Sequence, residues 1–116
     1  MKAVEPVRVA RWGDLSAEVV LPGVRRQCVD AERMTVVRYT YAPGSVFPAH
    51  SHSEEQVTMV LSGEIEFDVA GATVQAGVGS VILIPSGVVH GARVLGDLEV
   101  ETLNALSPRR IQEVTG

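Results

Sequence analysis

The sequence predicts an all-β fold, a sandwich or barrel of short strands. Three observations predict it. Valine and other β-branched residues are abundant, Gly, Pro and Ser recur at short intervals, and no segment sustains a helical period. A chain of 116 residues is read as a single domain, 1–116. With 46% apolar residues it can bury one core without disulfide staples.

Taken in order, residues 34–41 form a β-branched and aromatic run that stops at Pro43-Gly44. Residues 56–61 make the next strand, with Gln56, Thr58 and Val60 on one face and Val57, Met59 and Leu61 on the other. The second face needs cover, either from an N-terminal strand or from a second subunit. Ser62-Gly63 turns into 64–69, where Glu64, Glu66 and Asp68 alternate with Ile65, Phe67 and Val69, giving one wet and one dry face. Gly71 leads into 73–75. Residues 81–84 (Val-Ile-Leu-Ile) are apolar on both faces and are expected to be buried on both. Pro85-Ser86-Gly87 turns into 88–94, and 98–106 is the last long strand. There, with Glu99 and Glu101 outward, Leu98, Val100, Thr102, Asn104 and Leu106 face inward. Residues 107–116 are a tail or a short helix.

A net charge of −4 argues against nucleic acid and anionic membrane as partners, since both require a basic face. The single cysteine, Cys28, cannot form an internal disulfide and reads as an inert thiol in a strand. There is no apolar run of signal-peptide or membrane-spanning length, so the expected location is cytoplasmic.

The chemistry concentrates at His50-Ser51-His52. In a strand, alternate residues point the same way about 6.6 Å apart, so two imidazoles can converge on one ion at about 2.0–2.1 Å. A solvated pair is the plainer alternative. The histidines sit in a pattern, however: Gly44, His50, His52, Gln56 and Gly63, then Gly79, Pro85, Gly87 and His90. All three histidines of the chain fall on it. Asn104 stands on the inward side of the last strand, as a pocket-wall residue or an Asn satisfied by backbone. Arg109 and Arg110 follow, either reaching the pocket mouth to pair with a carboxylate or solvated at the chain end. Arg38 is either a pocket residue or an edge charge. Glu54 and Glu55 are ordinary solvated loop residues, or Glu55 turns inward in place of Gln56; strand parity opposes the latter.

The two blocks, 44–63 and 79–94, resemble the two motifs of the cupin superfamily, G-x5-H-x-H-x(3–4)-E-x6-G and G-x5-P-x-G-x2-H-x3-N. Gln56 stands at the usual Glu position and Val94 at the usual Asn position. The resemblance implies a cupin double-stranded β-helix (jelly-roll barrel) with an N-terminal strand. It also implies one divalent transition metal (Ni, Zn, Fe or Mn) held by His50, His52, His90 and Gln56. The stretch from Val88 to Arg110, with His50, His52 and Gln56 upstream, looks most like the small cupins of pectin degradation, which linearise unsaturated uronates at a three-His-plus-Gln metal site. Their distal D-x-F-S-P-x-R pattern falls on Asn104, Leu106, Ser107, Pro108 and Arg110. The catalytic positions implied are Asn104 and Arg110, but an Asn cannot shuttle the proton that the Asp would. Uronate linearisation is therefore expected to be weak, and because a neutral Gln56 leaves the metal its double charge, the expected activity is Lewis-acid isomerisation or cyclisation of a small anionic metabolite (carboxylate, keto sugar or enol). An iron-dependent dioxygenase and a non-catalytic binding module are the alternatives. The uncovered face of 56–61 leads to the expectation of a homodimer.

Overall fold

A computed structural model describes residues 6–110. Among these residues, ten strands follow a short 3-10 turn, Trp12–Asp14. They are β1 (Glu18–Leu21), β2 (Val24–Asp30), β3 (Thr35–Tyr41), β4 (Val46–His50), β5 (Glu55–Ser62), β6 (Glu64–Val69), β7 (Ala72–Ala76), β8 (Val81–Ile84), β9 (His90–Leu95) and β10 (Val100–Ser107). Two antiparallel sheets result, one ordered β1-β2-β3-β10-β5-β8 and the other β4-β9-β6-β7. The core lies between them and is built from Val24, Tyr41, Val60, Ile65, Phe67, Ile82, Ile84 and Val100. Each large side chain taken fully out of water there contributes about 1.5–3 kcal/mol.

The period-two pattern places the inner faces as expected. Ile65 and Phe67 are buried on β6, and Val100, Thr102, Asn104 and Leu106 on β10. Leu98 departs from the expectation. It is 71% exposed, because the chain turns through Gly96 and pairing on β10 begins only at Val100. The expectation that 81–84 is buried on both faces also fails. Ile82 and Ile84 are buried, while Val81 and Leu83 are 59% and 70% exposed. The reason is position, since β8 is the edge of its sheet and nothing in the described chain covers its outer side. Nor does the N-terminal segment cover the outer face of β5, because β1 and β2 extend the sheet sideways beyond β3. Residues 107–110 form no helix, and residues 111–116 lie outside the described residues.

The Ser62-Gly63 turn shows why two motif glycines differ. Both Gly44 and Gly63 have positive φ, +78° and +74°. A Cβ at Gly63 would stand 2.7 Å from the Glu99 carbonyl oxygen and 2.7 Å from a Val100 methyl, whereas at Gly44 nothing lies within 4 Å. Gly63→Ala combines the left-handed penalty of about 1–2 kcal/mol with an overpacking cost of about 1–3 kcal/mol. Gly44→Ala carries only the first. Urea unfolding is expected to show a loss of about 2–5 kcal/mol for Gly63→Ala and about 1–2 kcal/mol for Gly44→Ala, and equal losses would contradict the packing at Gly63.

Candidate metal centre

Strand register brings the histidines together. His50 on β4 and His90 on β9 are direct partners across the ladder, with ring centroids 4.3 Å apart. His52 lies just past β4, in the link that carries the chain to β5 in the other sheet. The premise that both histidines share a strand face is thus half met, because β4 ends at His50. The link still turns the His52 ring to within 4.8 Å of the His90 centroid. One nitrogen from each of the three rings lies within 4.8 Å of the others.

The orientation of each ring is set by backbone. Nδ1 of His50 donates to the Pro48 carbonyl at 3.0 Å, that of His90 to the Val88 carbonyl at 2.9 Å, and that of His52 to the Glu54 carbonyl at 3.0 Å. A carbonyl can only accept, so Nδ1 carries the hydrogen, and a ring in its neutral form keeps its lone pair on Nε2. Burial is the main force holding the His50 and His90 imidazoles below the ordinary histidine range, partly opposed by those same carbonyls. Both rings are therefore neutral near pH 7 and able to act as ligands.

Two observations test whether a cation fits. The buried Nε2 of His90 has no hydrogen-bond partner among the described residues, and a lone pair left so costs about 1–3 kcal/mol. Second, Nε2 of His52 faces the amide oxygen of Gln56 at 3.0 Å. With the His52 ring neutral both are acceptors, and direct contact is repulsive unless a cation, a metal ion or a proton, serves the two together. Two ligand atoms each about 2.1 Å from one ion and at a right angle lie about 3.0 Å apart. The donor set of three imidazoles and an amide oxygen suits a divalent transition metal.

The pocket around these atoms is small, about 30 Å³, room for about two water molecules at roughly 10–15 Å³ each. Tyr39, Tyr41, Phe47, Phe67 and Leu106 make its dry wall, and Arg110 and Asn104 also line it. Among the described residues no acidic side chain lines it. Burial, the largest influence, raises the Tyr39 and Tyr41 hydroxyls, so both stay protonated.

The remaining candidates separate cleanly. Gln56 faces the histidines, while Glu55 is exposed on the opposite parity. Glu54, expected in solvent, has a side chain only 14% exposed; one carboxylate oxygen is 3.7 Å from His52 Nδ1 and the other 3.9 Å from Arg110 Nε. Arg110 thus stands at the pocket, whereas Arg109 turns to Asp30 at 3.8 Å. Arg38 lies on the outer face, where its Nε donates to Glu101 at 2.6 Å and a terminal nitrogen to Gln27 at 2.9 Å. Asn104 is buried, 2% exposed, and in register with both Val37 and Thr58. Cys28 is half-buried on β2, with its thiol raised by burial first of all. Reading from sequence missed the aromatic wall and Thr58. The parity of Tyr39 with Tyr41, and of Thr58 with Gln56, was the available signal.

The comparisons agree with this architecture. The structure of KdgF from Halomonas sp. superposes with a TM-score of 0.83 at 23% identity, covering 90% of this chain and 96% of that one. An RmlC-like cupin from Shewanella frigidimarina gives 0.82 at 23% identity, covering 90% and 94%. Among curated sequences, germin-like protein subfamily 1 member 4 of Arabidopsis thaliana is 26% identical over 104 residues, 75% of this chain. This chain spans about half, 47%, of that protein. The family model described as Cupin domain matches residues 37–106, a span running from β3 to β10 and containing all three histidines and Gln56. With its two-sheet barrel and its histidines in both motif positions, the chain belongs to the cupin family.

Proposed function

We propose that this protein holds one divalent transition metal ion (Ni, Zn, Fe or Mn) on Nε2 of His50, His52 and His90 and the amide oxygen of Gln56. There it would bind a small anionic metabolite, a carboxylate, keto sugar or enol, for Lewis-acid isomerisation or cyclisation. The observation that carries the reading is the contact between the two acceptors His52 Nε2 and Gln56 Oε1, beside the orphaned Nε2 of His90. Bound there, such an ion supplies Lewis acidity, and four neutral ligands leave its double charge undiminished.

The chain's own groups have separate parts. Arg110 offers a cation at the pocket, and its 3.9 Å approach to Glu54 is long enough to yield to a ligand carboxylate. The aromatic wall excludes water. Among the described residues proton transfer by a lining carboxylate has no candidate, since none of them lines the pocket. Asn104, buried and amidic, does not serve as acid or base. That disfavours uronate linearisation and favours a reaction in which the substrate or bound water moves the proton. The uncovered outer face, with Leu61, Val81 and Leu83 46%, 59% and 70% exposed, supports a second copy of the chain as its cover. No helix among the described residues is long and apolar enough to cross a membrane. We place the protein, as a homodimer of one-domain subunits, in the cytoplasm.

Elemental analysis of untagged protein is expected to show about one transition metal per chain, with His52→Ala losing most of it; metal content unchanged in that variant would overturn the centre. Calorimetric titration of small dicarboxylates or keto acids into metal-loaded protein is expected to show binding, weakened about tenfold by Arg110→Ala, the order expected for one charge-assisted contact. No acid binding, with oxygen consumed in the presence of ferrous iron and a catechol or thiol, would replace the Lewis-acid reading by dioxygenation. Acid binding with no turnover of any such compound would leave a binding module. Sedimentation at micromolar concentration is expected to give a dimer, and Leu83→Glu a monomer; a wild-type monomer would sink the assembly.

A further inference from the structure

Behind Gln56 lies a buried chain of hydrogen bonds with only one consistent polarity. The Val37 carbonyl can only accept, and it lies 3.1 Å from one amide atom of Asn104. That atom must be nitrogen, which also donates to the Thr102 hydroxyl at 3.0 Å. The Asn104 oxygen is therefore turned the other way, toward β5. It accepts from the Thr58 hydroxyl at 2.6 Å and from the Gln56 amide nitrogen at 3.3 Å. The Thr58 oxygen in turn accepts from the same Gln56 nitrogen at 2.9 Å. With its nitrogen claimed twice, Gln56 has only its oxygen left for His52 Nε2, 3.0 Å away.

From this we infer that Asn104 and Thr58 are positioning residues, which fix the amide of Gln56 so that its oxygen, not its nitrogen, faces the cation. The inference rests on the metal centre proposed above and deepens it. A free glutamine amide can present either end, and only one end can be a ligand. The relay removes the wrong one. It also reads position 56 for an amide. A carboxylate there would set its second oxygen against the Asn104 oxygen, and turning Asn104 over to meet it would set oxygen against the Val37 carbonyl. The departure from the usual Glu at position 56 and the presence of Asn104 thus belong to one hydrogen-bonded unit, built on the register pairs Asn104↔Val37 and Asn104↔Thr58.

The test is Co(II) binding, measured by competition with a chromophoric chelator and by the visible absorption of the bound ion. Thr58→Val, Asn104→Leu and Thr58→Ser are compared in the native chain and in a Gln56→Ala background, with the thermal midpoint monitoring the fold. Thr58→Val and Asn104→Leu are expected to weaken Co(II) about tenfold or more, as loss of a group that orients a ligand does, and to shift the absorption. Thr58→Ser keeps the hydroxyl and is expected to stay near wild type. In the Gln56→Ala background neither change should weaken Co(II) further. Folded variants with wild-type affinity and spectrum would overturn the relay, as would losses of equal size persisting without Gln56. Should Asn104→Leu fail to fold, Thr58→Val decides alone. A wild-type protein that binds no Co(II) would instead overturn the metal centre itself, and the relay with it.

Discussion

The fixing of three imidazoles by three backbone carbonyls is the constraint on which the site depends. Pro48, Val88 and Glu54 each take an Nδ1 hydrogen, and that single choice of tautomer points three lone pairs at one small volume. The arrangement needs the fold, because His50 and His90 are neighbours only through the β4–β9 ladder, and Gln56 comes from the other sheet. The link from β4 to β5 carries His52 between the two sheets. A cation held by all four groups would therefore clamp one sheet to the other, and metal binding and barrel stability would be linked through the same contacts.

The second requirement is polar satisfaction inside a dry barrel. Thr58, Thr102, Asn104 and Gln56 are buried among residues such as Val37, Val60 and Leu106. An unpaired amide there would cost about 1–3 kcal/mol, so the network stands only because nearly every donor finds an acceptor. Its terminus on the Val37 carbonyl gives it direction. β10, paired on both sides by β3 and β5, is the one strand able to carry a residue between a backbone anchor on one neighbour and a ligand-bearing face on the other. The polar core thus specifies an orientation that an apolar core of the same volume would leave open.

Much of this was legible in the residues. The alternation of Glu64–Val69 gave β6 with its bounds, and turn residues gave most of the rest. Spacing brought His50, His52, Gln56 and His90 under consideration together. The failures share a physical cause. Val81 and Leu83 read as doubly buried because apolarity reports a need for cover and not what provides it, and strand order decides that. Arg38 stayed ambiguous because parity depends on which face is inner, and its pairing with Glu101 across the β3–β10 ladder settles it as an outer residue. Glu54 looked like a solvated loop residue, yet the turn that presents His52 also draws it inward. Asn104 was placed on the correct face, but its hydrogen-bond polarity depends on a backbone carbonyl 67 positions away in sequence, which no local pattern reports.

A last consequence concerns charge. All four proposed ligands would bind as neutral groups, the pocket has no acidic lining among the described residues, and its two tyrosines are held protonated by burial. Two unit charges about 4 Å apart attract by about 4 kcal/mol at an effective dielectric constant near 20. A divalent ion in this setting would have no anion among the described residues in direct contact to balance it, and Arg110 would add a further positive charge at the same pocket. Glu54, the nearest carboxylate among those contacts, approaches the far side of the His52 ring and Arg110, not the ligand nitrogens. The balancing negative charge would then come from whatever enters the pocket. On the proposed reading, this electrostatic ground would make the cavity favour an anion, and its small volume would restrict that anion to a compact oxygen-bearing group at the metal while the rest of the molecule extended toward the mouth.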